Sequence, residues 1–360
     1  MRQKKSEGEC RGPYFAAANS GRGFISFYDD VFGKREIVRR YLIKGGPGTG
    51  KSSFMRKVAE CALSLGKSVE LYRCSSDPDS LDGIVIDGSI AILDATAPHS
   101  EDTKVPGARD ELVNLGAFWD SEALTRQYDR IFELNEKKAV SYKRAYRFLS
   151  ACLEVEGADR LLLDSCIKKE KMRRAVHRLC ENLPNGKGFS VEPRLLDSIG
   201  MKGRVHFDSF EREARKLYWL DDEYGIGSDF LAALVDEAME KQCAVQVSRE
   251  PISPDRLSAL RFCESGVCVV IGNQKTRPMP EGAVRVNLKR FLDLEALGEV
   301  KRELRANRRL REALLSSAEG ALAEAGAYHF ELEKIYVACM DFEAEGRFRA
   351  SFCEHILKLV

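Results

Sequence analysis

The chain has 360 residues, of which 44% are hydrophobic and 31% are charged. That length suffices for two domains, and the composition excludes an extensively disordered chain or one built from transmembrane helices. Lys plus Arg (57) and Asp plus Glu (56) nearly cancel. No global positive field therefore draws the protein to anionic surfaces, and we expect neither a nucleic-acid partner nor a membrane partner.

The start of the chain and its cysteines indicate an intracellular protein. The first ten residues are polar and charged, and no apolar stretch follows them, so no secretory signal is predicted and a cytoplasmic location is expected. The 11 cysteines are scattered, as in a chain with reduced thiols. The pair Cys263 and Cys268 has no second pair or histidines at ligand spacing, which argues against a zinc site.

The first predicted strand, Tyr41-Leu42-Ile43, leads into a glycine-rich turn and then into a helix-like stretch from Ser53 to Leu65. The turn matches the phosphate-binding pattern G-x-x-x-x-G-K-[ST], in the strand, loop and helix context that this pattern requires. The predicted nucleotide-binding residues are those of the motif and the serine after it: Gly45, Gly46, Pro47, Gly48, Thr49, Gly50, Lys51, Ser52 and Ser53.

The chemistry of such a loop is the binding of phosphates. Glycines let successive N–H groups point at phosphate oxygens, and the helix adds the positive end of its dipole. Lys51 would then contact the β- and γ-phosphates, and Ser52 would hold Mg²⁺. The expected ligands are therefore ATP and Mg²⁺.

Two further strands are predicted, at residues 69–73 and 90–93, and the second of them ends in Asp94. An apolar strand that ends in Asp after a phosphate loop has the form of a Walker B strand, whose carboxylate supports Mg²⁺. Asp94 is therefore predicted as the carboxylate on the metal side. Its rival is Asp87, which follows the apolar run Ile84-Val85-Ile86.

No glutamate follows Asp94 directly, so the residue that would activate water is left open. Thr96 and His99 could sense or orient the γ-phosphate. The predicted catalytic set is Lys51, Asp94, Asp77 and Asp82. The carboxylates considered as general base are Asp77, Asp82, Glu101 and Asp102.

A fourth strand is predicted around Val113-Asn114-Leu115, and apolar residues at helical spacing follow from Ser121 to Leu153. We expect these helices to form hairpins packed on the sheet, and they offer a surface for a protein partner. Glycines and prolines interrupt the periodicity between Glu181 and Gly203. Two domains are therefore predicted, residues 1–190 and residues 191–360.

The chain contains an internal repeat. Residues 113–124 recur as residues 286–297 with 8 of 12 positions identical. Shorter echoes relate Pro78-Asp79 to Pro254-Asp255 and Ala151-Cys152 to Ala338-Cys339. The second copy has predicted strands at residues 218–220, 244–247 and 267–271 and a long helical stretch at residues 297–340. The repeat indicates a duplicated domain.

The second copy lacks the residues that bind phosphate. Gly225 and Gly227 align with Gly48 and Gly50, but the lysine is missing and residues 221–223 are all acidic. Their charge opposes an anion. No aspartate stands at the place of Asp94 either. We therefore predict a single live nucleotide site, in the first half.

Strands alternating with helices predict an α/β fold. The specific prediction is a tandem duplication of P-loop NTPase domains, each with a parallel sheet, flanking helices and a long helical segment at its end. The first domain has an intact Walker A motif, and the second is degenerate.

Four segments, residues 43–53, 74–83, 94–99 and 332–338, resemble an uncharacterised family of bacterial P-loop ATP-binding proteins, found mainly in spore-forming and related Gram-positive lineages. The resemblance extends over nearly the whole chain. It implies two tandem P-loop domains and an ATPase-type activity with no established substrate. Family members tend to carry a second intact phosphate loop, and this chain departs from them there.

Three functions fit these patterns. The first is Mg²⁺-dependent ATP hydrolysis at one site, with the bound state setting the arrangement of the two halves. The second is a P-loop kinase that transfers the γ-phosphate to a small metabolite. The third is a nucleotide-gated scaffold with negligible turnover. The absence of a guanine-reading N-K-x-D motif favours ATP over GTP.

Overall fold

The structure, a computed structural model, describes residues 8–98, 100–273, 277–356 and 358–359. His99 lies outside the described residues. The first half contains a six-stranded sheet and a two-stranded hairpin. Their strands are β1 Cys10–Phe15, β2 Ala17–Ser20, β3 Gly23–Ser26, β4 Arg39–Lys44, β5 Val69–Arg73, β6 Leu81–Ile86, β7 Ile90–Asp94 and β8 Asp110–Asn114.

The first sheet is mixed, whereas the sequence predicted a parallel sheet. Its order is β1-β5-β6-β7-β4-β8, and β6 runs antiparallel to both of its neighbours. Residues 74–80 and 87–89 join β6 to these neighbours directly, and such connections are too short for the crossover that a parallel pair needs. All six residues of β6 are buried, so no alternation of polar and apolar residues marked this strand in the sequence.

The second half repeats this arrangement. Its sheet has the order β16-β12-β15-β14-β13-β9, and each neighbouring pair keeps the orientation of its counterpart in the first sheet. Two mixed sheets with one topology are consistent with a duplicated domain. The strands are β9 Ser190–Pro193, β10 Asp197–Gly200, β11 Gly203–His206, β12 Lys216–Asp221, β13 Ala244–Arg249, β14 Leu257–Phe262, β15 Val267–Gly272 and β16 Val284–Asn287.

Helices follow the strands in the same order in both halves. A 3-10 helix, Leu115–Phe118 or Leu288–Phe291, precedes the long helices. The first half has α1 Tyr28–Phe32, α2 Lys51–Ser64, α3 Ser121–Arg126, α4 Tyr128–Asp164 and α5 Lys169–Cys180; the second has α6 Ser209–Glu213, α7 Gly227–Glu240, α8 Leu294–Ala338 and α9 Phe342–Ile356.

The two halves exchange their last helices. From α9, Phe352 packs into the core of the first sheet, with its ring centroid 5.0 Å from that of Phe54 and 4.9 Å from that of Tyr41. From α5, Met172 and Val176 pack into the core of the second sheet. Each sheet therefore buries one face against a helix that the other half supplies.

The long helices α4 and α8 lie antiparallel and pack along each other, instead of forming a separate hairpin on each sheet. The ion pairs Arg130–Glu331 and Arg144–Glu324 join them, around a shared apolar core. The Ala-Cys echo noted in the sequence does not mark equivalent positions. Ala151 lies within α4, whereas Ala338 ends α8.

The two hairpins, β2-β3 and β10-β11, also cross between the halves. The N–H of Gly21 donates to the carbonyl of Ile252 (3.0 Å), and the N–H of Met201 donates to the carbonyl of Ser76 (2.8 Å). Each hairpin turn thus contacts the loop that follows the β5 or β13 strand of the opposite half. The equivalence of these two contacts shows that the halves are related by an approximate twofold arrangement.

Replacing Phe352 by Ala tests the exchange of helices. Because this ring is only 6% exposed, its removal should lower the free energy of unfolding by about 3 kcal/mol. Phe330→Ala is the matched control, since Phe330 lies on α8 and is 38% exposed. It should cost less than about 1 kcal/mol. Urea denaturation measures both values, and equal losses would contradict the packing of α9 on the first sheet.

Candidate functional site

The glycine-rich loop, residues 45–50, joins β4 to α2 and folds as the sequence motif requires. Gly48 (φ +68°) and Gly50 (φ +82°) have left-handed backbone conformations, which glycine adopts without strain. The hydroxyl of Thr49 donates to the carbonyl of Gly46 at 2.9 Å. This contact closes the turn that leads into the helix.

The loop presents backbone donors that the chain itself leaves unused. Within the described ranges, the N–H groups of residues 46 and 48–53 donate to no other residue of the protein. Helix α2 has no side-chain cap and no acidic residue in its first turn. Clustered N–H donors at the positive end of a helix dipole form an anion-binding arrangement.

Lys51 is the first residue of α2, and its side chain turns back over this loop. The ammonium donates to the carbonyls of Gly45 (2.9 Å) and Gly46 (2.8 Å). It also lies 3.6 Å from Oδ2 of Asp94. The predicted lysine and the predicted carboxylate are therefore brought together at the loop.

Asp94 ends β7, which pairs in parallel with β4 so that Asp94 lies opposite Ile43. Its Oδ1 accepts a hydrogen bond from the N–H of Thr96 at 2.8 Å. Burial raises the pKa of Asp94, the ammonium of Lys51 opposes that shift, and the nearby carboxylate of Asp82 adds to it. Two neighbouring carboxylates in a largely buried site favour a cation beside them.

The rival carboxylate, Asp87, lies at the far end of the sheet. It occupies the turn between β6 and β7, where its Oδ1 accepts a hydrogen bond from the N–H of Ser68 at 2.8 Å. Because β7 runs from this turn to Asp94, the length of the strand separates the two aspartates. Asp87 is therefore not part of the loop site.

Ser52 and Asp82 lie close to the loop but have structural contacts. The hydroxyl oxygen of Ser52 accepts hydrogen bonds from the N–H of Leu81 at 3.0 Å and from the guanidinium of Arg56 at 3.5 Å. Asp82 is 3% exposed on β6. Hydroxyl and carboxylate oxygens suit Mg²⁺, which commonly takes one or two protein ligands and completes its shell with phosphates and water. Ser52 and Asp94 thus fit the predicted metal site.

The other proposed catalytic groups are held away from the loop residues. Asp77 accepts a hydrogen bond from the hydroxyl of Ser80 at 2.7 Å and lies 3.2 Å from the ammonium of Lys202. Glu101 lies 3.8 Å from the buried guanidinium of Arg40. Asp102 is almost fully exposed. Thr96 does reach the loop, where its hydroxyl donates to the carbonyl of Gly45 at 3.0 Å.

Helix α8 from the second half covers the loop. A Cβ on Gly46 would lie 2.9 Å from the ring of Tyr336, and a Cβ on Gly48 would lie 2.7 Å from the carbonyl oxygen of Glu333. Residues 332–338 were predicted as part of the helical stretch 297–340 of the second copy and were marked by the family resemblance, but they were not expected at the loop of the first half. Their contact with the loop requires the exchanged packing, which no local pattern indicates.

The loop of the second half is filled by its own side chain. The carboxylate of Asp222 accepts hydrogen bonds from four backbone N–H groups, those of Tyr224 (3.2 Å), Gly225 (2.8 Å), Ile226 (3.1 Å) and Gly227 (2.7 Å). Asp222 is 8% exposed. The acidic residue that the sequence analysis treated as a source of repulsion is thus an internal anion in the cradle.

One contact retained in both halves sets the alignment of the two loops. The bond from the N–H of Leu81 to Ser52 is matched by a bond from the N–H of Leu257 to Ser228, also 3.0 Å. The second loop, residues 222–226, is one residue shorter than the first, residues 45–50. Gly227 therefore stands at the place of Lys51, which corrects the alignment of Gly227 with Gly50.

The strand pairing of the two sheets shows which side chains differ between the two loops. The pairing of Ile43 with Asp94 matches that of Leu220 with Ile271, so an isoleucine stands where the first half has Asp94. Counting from the strand ends, Asp222 stands at the place of Gly45. The second half thus lacks the lysine and the carboxylate and carries an anion of its own.

The described residues contain neither a membrane-spanning helix nor a cluster of metal ligands. None of the helices within these ranges has the length and apolar character needed to span a membrane. Across the same residues, no group of three or more His, Cys, Asp or Glu side chains is placed to hold a metal ion.

Comparison with known proteins adds no relative. No family model, no curated protein and no solved structure matches this chain. Its functional assignment therefore depends on the geometry of the loop and its neighbours.

Replacing Asp222 by Ala tests the internal anion. Four N–H groups would lose their acceptor, and those of Ile226 and Gly227 are buried, so the free energy of unfolding should fall by about 2 to 3 kcal/mol. Asp221→Ala is the control, because the carboxylate of Asp221 pairs with the partly exposed Arg285 and should contribute less than about 1 kcal/mol. If urea denaturation gave the same small loss for both variants, the role of Asp222 as the anion of the loop would be refuted.

Proposed function

We propose that the first half binds ATP with Mg²⁺ at the loop formed by residues 45–53 and that this is the single nucleotide site of the protein. The observation that carries the proposal is the comparison of the two loops. In the second loop a carboxylate occupies the N–H cradle. In the first, Gly45 brings no carboxylate, the N–H groups of the loop donate to none of the described residues, and Lys51 stands beside them.

The residues have distinct roles in this proposal. The N–H groups of the loop would bind phosphate oxygens, and Lys51 would exchange its contacts with the carbonyls of Gly45 and Gly46 for contacts with the β- and γ-phosphates. Asp94 and Ser52 would hold Mg²⁺. A Mg²⁺ ion held by these residues would offset the charge of the phosphates.

The contacts of two proposed bases favour ATP hydrolysis over a kinase reaction. A kinase base must accept the proton of an incoming hydroxyl group. Asp77 is bound by Ser80 and Lys202, and Asp82 is buried, so neither is open to a metabolite. A water molecule is small enough to reach carboxylates that a larger metabolite cannot reach.

The cover formed by α8 supports a third function, control of a scaffold by the nucleotide. Tyr336 and Glu333 lie against the loop glycines, so a triphosphate that enters the cradle changes the contacts of α8. The nucleotide would thereby act on the packing between the halves, whether or not it is hydrolysed.

Incubation with Mg-ATP, alone and with a panel of metabolites, separates these three functions. Release of ADP and free phosphate without a metabolite supports hydrolysis. A phosphorylated metabolite would support the kinase, and tight binding without turnover would support the scaffold.

Lys51→Met should weaken the binding of Mg-ATP at least about 100-fold, because the β- and γ-phosphates lose a charged partner. Lys57→Met is the matched control on the same helix, since Lys57 is 58% exposed and pairs with Glu60. The affinity of Lys57→Met for Mg-ATP should be unchanged. Calorimetry measures both, and an unaltered affinity of Lys51→Met would refute the assignment of the site.

Asp94→Asn should remove the dependence of ATP binding on Mg²⁺, because the metal loses its protein carboxylate. Asp87→Asn changes the other predicted carboxylate, at the far end of β7, and should leave the dependence intact. Titrations with ATP in the presence of Mg²⁺ or of a chelator compare the two. A Mg²⁺ effect that persists in Asp94→Asn would exclude Asp94 as the metal ligand.

A further inference from the structure

Lys138, on α4, is a half-buried lysine that no sequence motif singled out. Among the residues that the structure describes, no carboxylate lies within ion-pair distance of its ammonium. Burial lowers the pKa of Lys138, and the ammonium of Lys51 lowers it further. Two cationic side chains thus converge on one region, and one of them has no counter-ion.

The repeat shows where Lys138 lies with respect to the loop. The N–H of Asp120 donates to the carbonyl of Cys339, and the N–H of Asp293 donates to the carbonyl of Cys166, both at 2.8 Å. The two donors are 173 residues apart in the sequence (293 − 120), and so are the two acceptors (339 − 166). A position on α4 therefore corresponds to the position on α8 that is 173 residues later. Lys138 is therefore the counterpart of Arg311.

In the second half this position faces the loop. Arg311 lies with Glu223 and Tyr224 around a cavity of about 280 Å³. Its guanidinium lies 3.1 Å from the carboxylate of Asp159. At the second loop, Asp159 of α4 is therefore the anion for the cation on α8, and Asp222 is the anion for the N–H groups of the loop.

The corresponding positions at the first loop, Gly45 and Leu332, carry no acidic side chain. The counterpart of Asp159 is Leu332, which is fully buried. Leu332 lies one helical turn before Tyr336, whose ring covers Gly46. Lys138 therefore lies across from α8 beside the cover of the loop, and an apolar side chain replaces its counter-ion. Both positions that carry a carboxylate at the second loop are therefore uncharged at the first.

We propose that Lys138 contacts the phosphates of the bound nucleotide as a second cation, supplied by α4 in addition to Lys51 of the loop. This inference rests on the proposed function, since it assumes that a triphosphate occupies the cradle. A charged partner from a long helix also gives the nucleotide a direct contact with the α4 and α8 pair.

Because the ammonium groups of Lys51 and Lys138 repel each other, the direction in which Tm changes when Lys138 is replaced tests the proposal. A half-buried ammonium without a counter-ion, near a second ammonium, destabilises the protein that lacks the nucleotide. Lys138→Met keeps the aliphatic stem and removes the charge. A residue that serves only packing or solubility would not produce a gain of stability together with a loss of affinity.

The experiment compares Lys138→Met with Lys138→Arg and with Lys143→Met, which changes an exposed lysine of the same helix. Calorimetry measures the affinity for Mg-ATP, and thermal denaturation measures Tm without nucleotide. We expect Lys138→Met to bind at least about tenfold more weakly and to have a higher Tm. Lys138→Arg should retain affinity within about threefold, and Lys143→Met should change neither value.

The outcomes separate the two proposals. If Lys51→Met loses affinity and Lys138→Met does not, this inference is overturned and the nucleotide site stands. If neither variant loses affinity, the proposed function itself fails. A Lys138→Met variant that loses both affinity and Tm has a structural role, which also overturns the inference.

Discussion

The exchange of helices between the halves is the constraint on which the rest of the structure depends. Each sheet buries one face under a helix of the other half, with Phe352 in the first core and Met172 in the second. The long helices α4 and α8 carry the chain across, and they run antiparallel because both crossings link the same two sheets. The cover of the glycine-rich loop follows from this path, since α8 passes Gly46 and Gly48 before α9 reaches the first sheet.

The second half keeps the fold of the first but places a carboxylate within its own loop. Its helix, its strand order and the bond between Ser228 and Leu257 match those of the first half. The differences concern charge. Asp222 satisfies the N–H groups, Asp159 satisfies Arg311, and Ile271 replaces the carboxylate on the neighbouring strand. Donors and cations that have internal partners gain little from an external anion.

The sequence predicted the local parts of this structure and missed the parts that depend on distant contacts. The loop, the strand that ends in Asp94 and the duplication were each visible in a short pattern. The antiparallel strand β6 was missed because a fully buried strand shows no alternation. The role of Asp222 was misread because charge alone predicts repulsion, whereas the hydrogen bonds to its carboxylate require the folded turn. Amphipathic spacing shows that α9 has a buried face but not which sheet covers it.

The shared construction of the two cores has a consequence for how the chain is made. The first sheet is synthesised early, but the helix that covers its face, α9, is translated only after the whole second sheet. Until then Tyr41 and Phe54 lack the side chains that pack against them. The first half therefore cannot complete its core during translation of its own residues, and folding on the ribosome must wait for the other half. A nucleotide that binds the early loop would meet it before α8 exists to cover it.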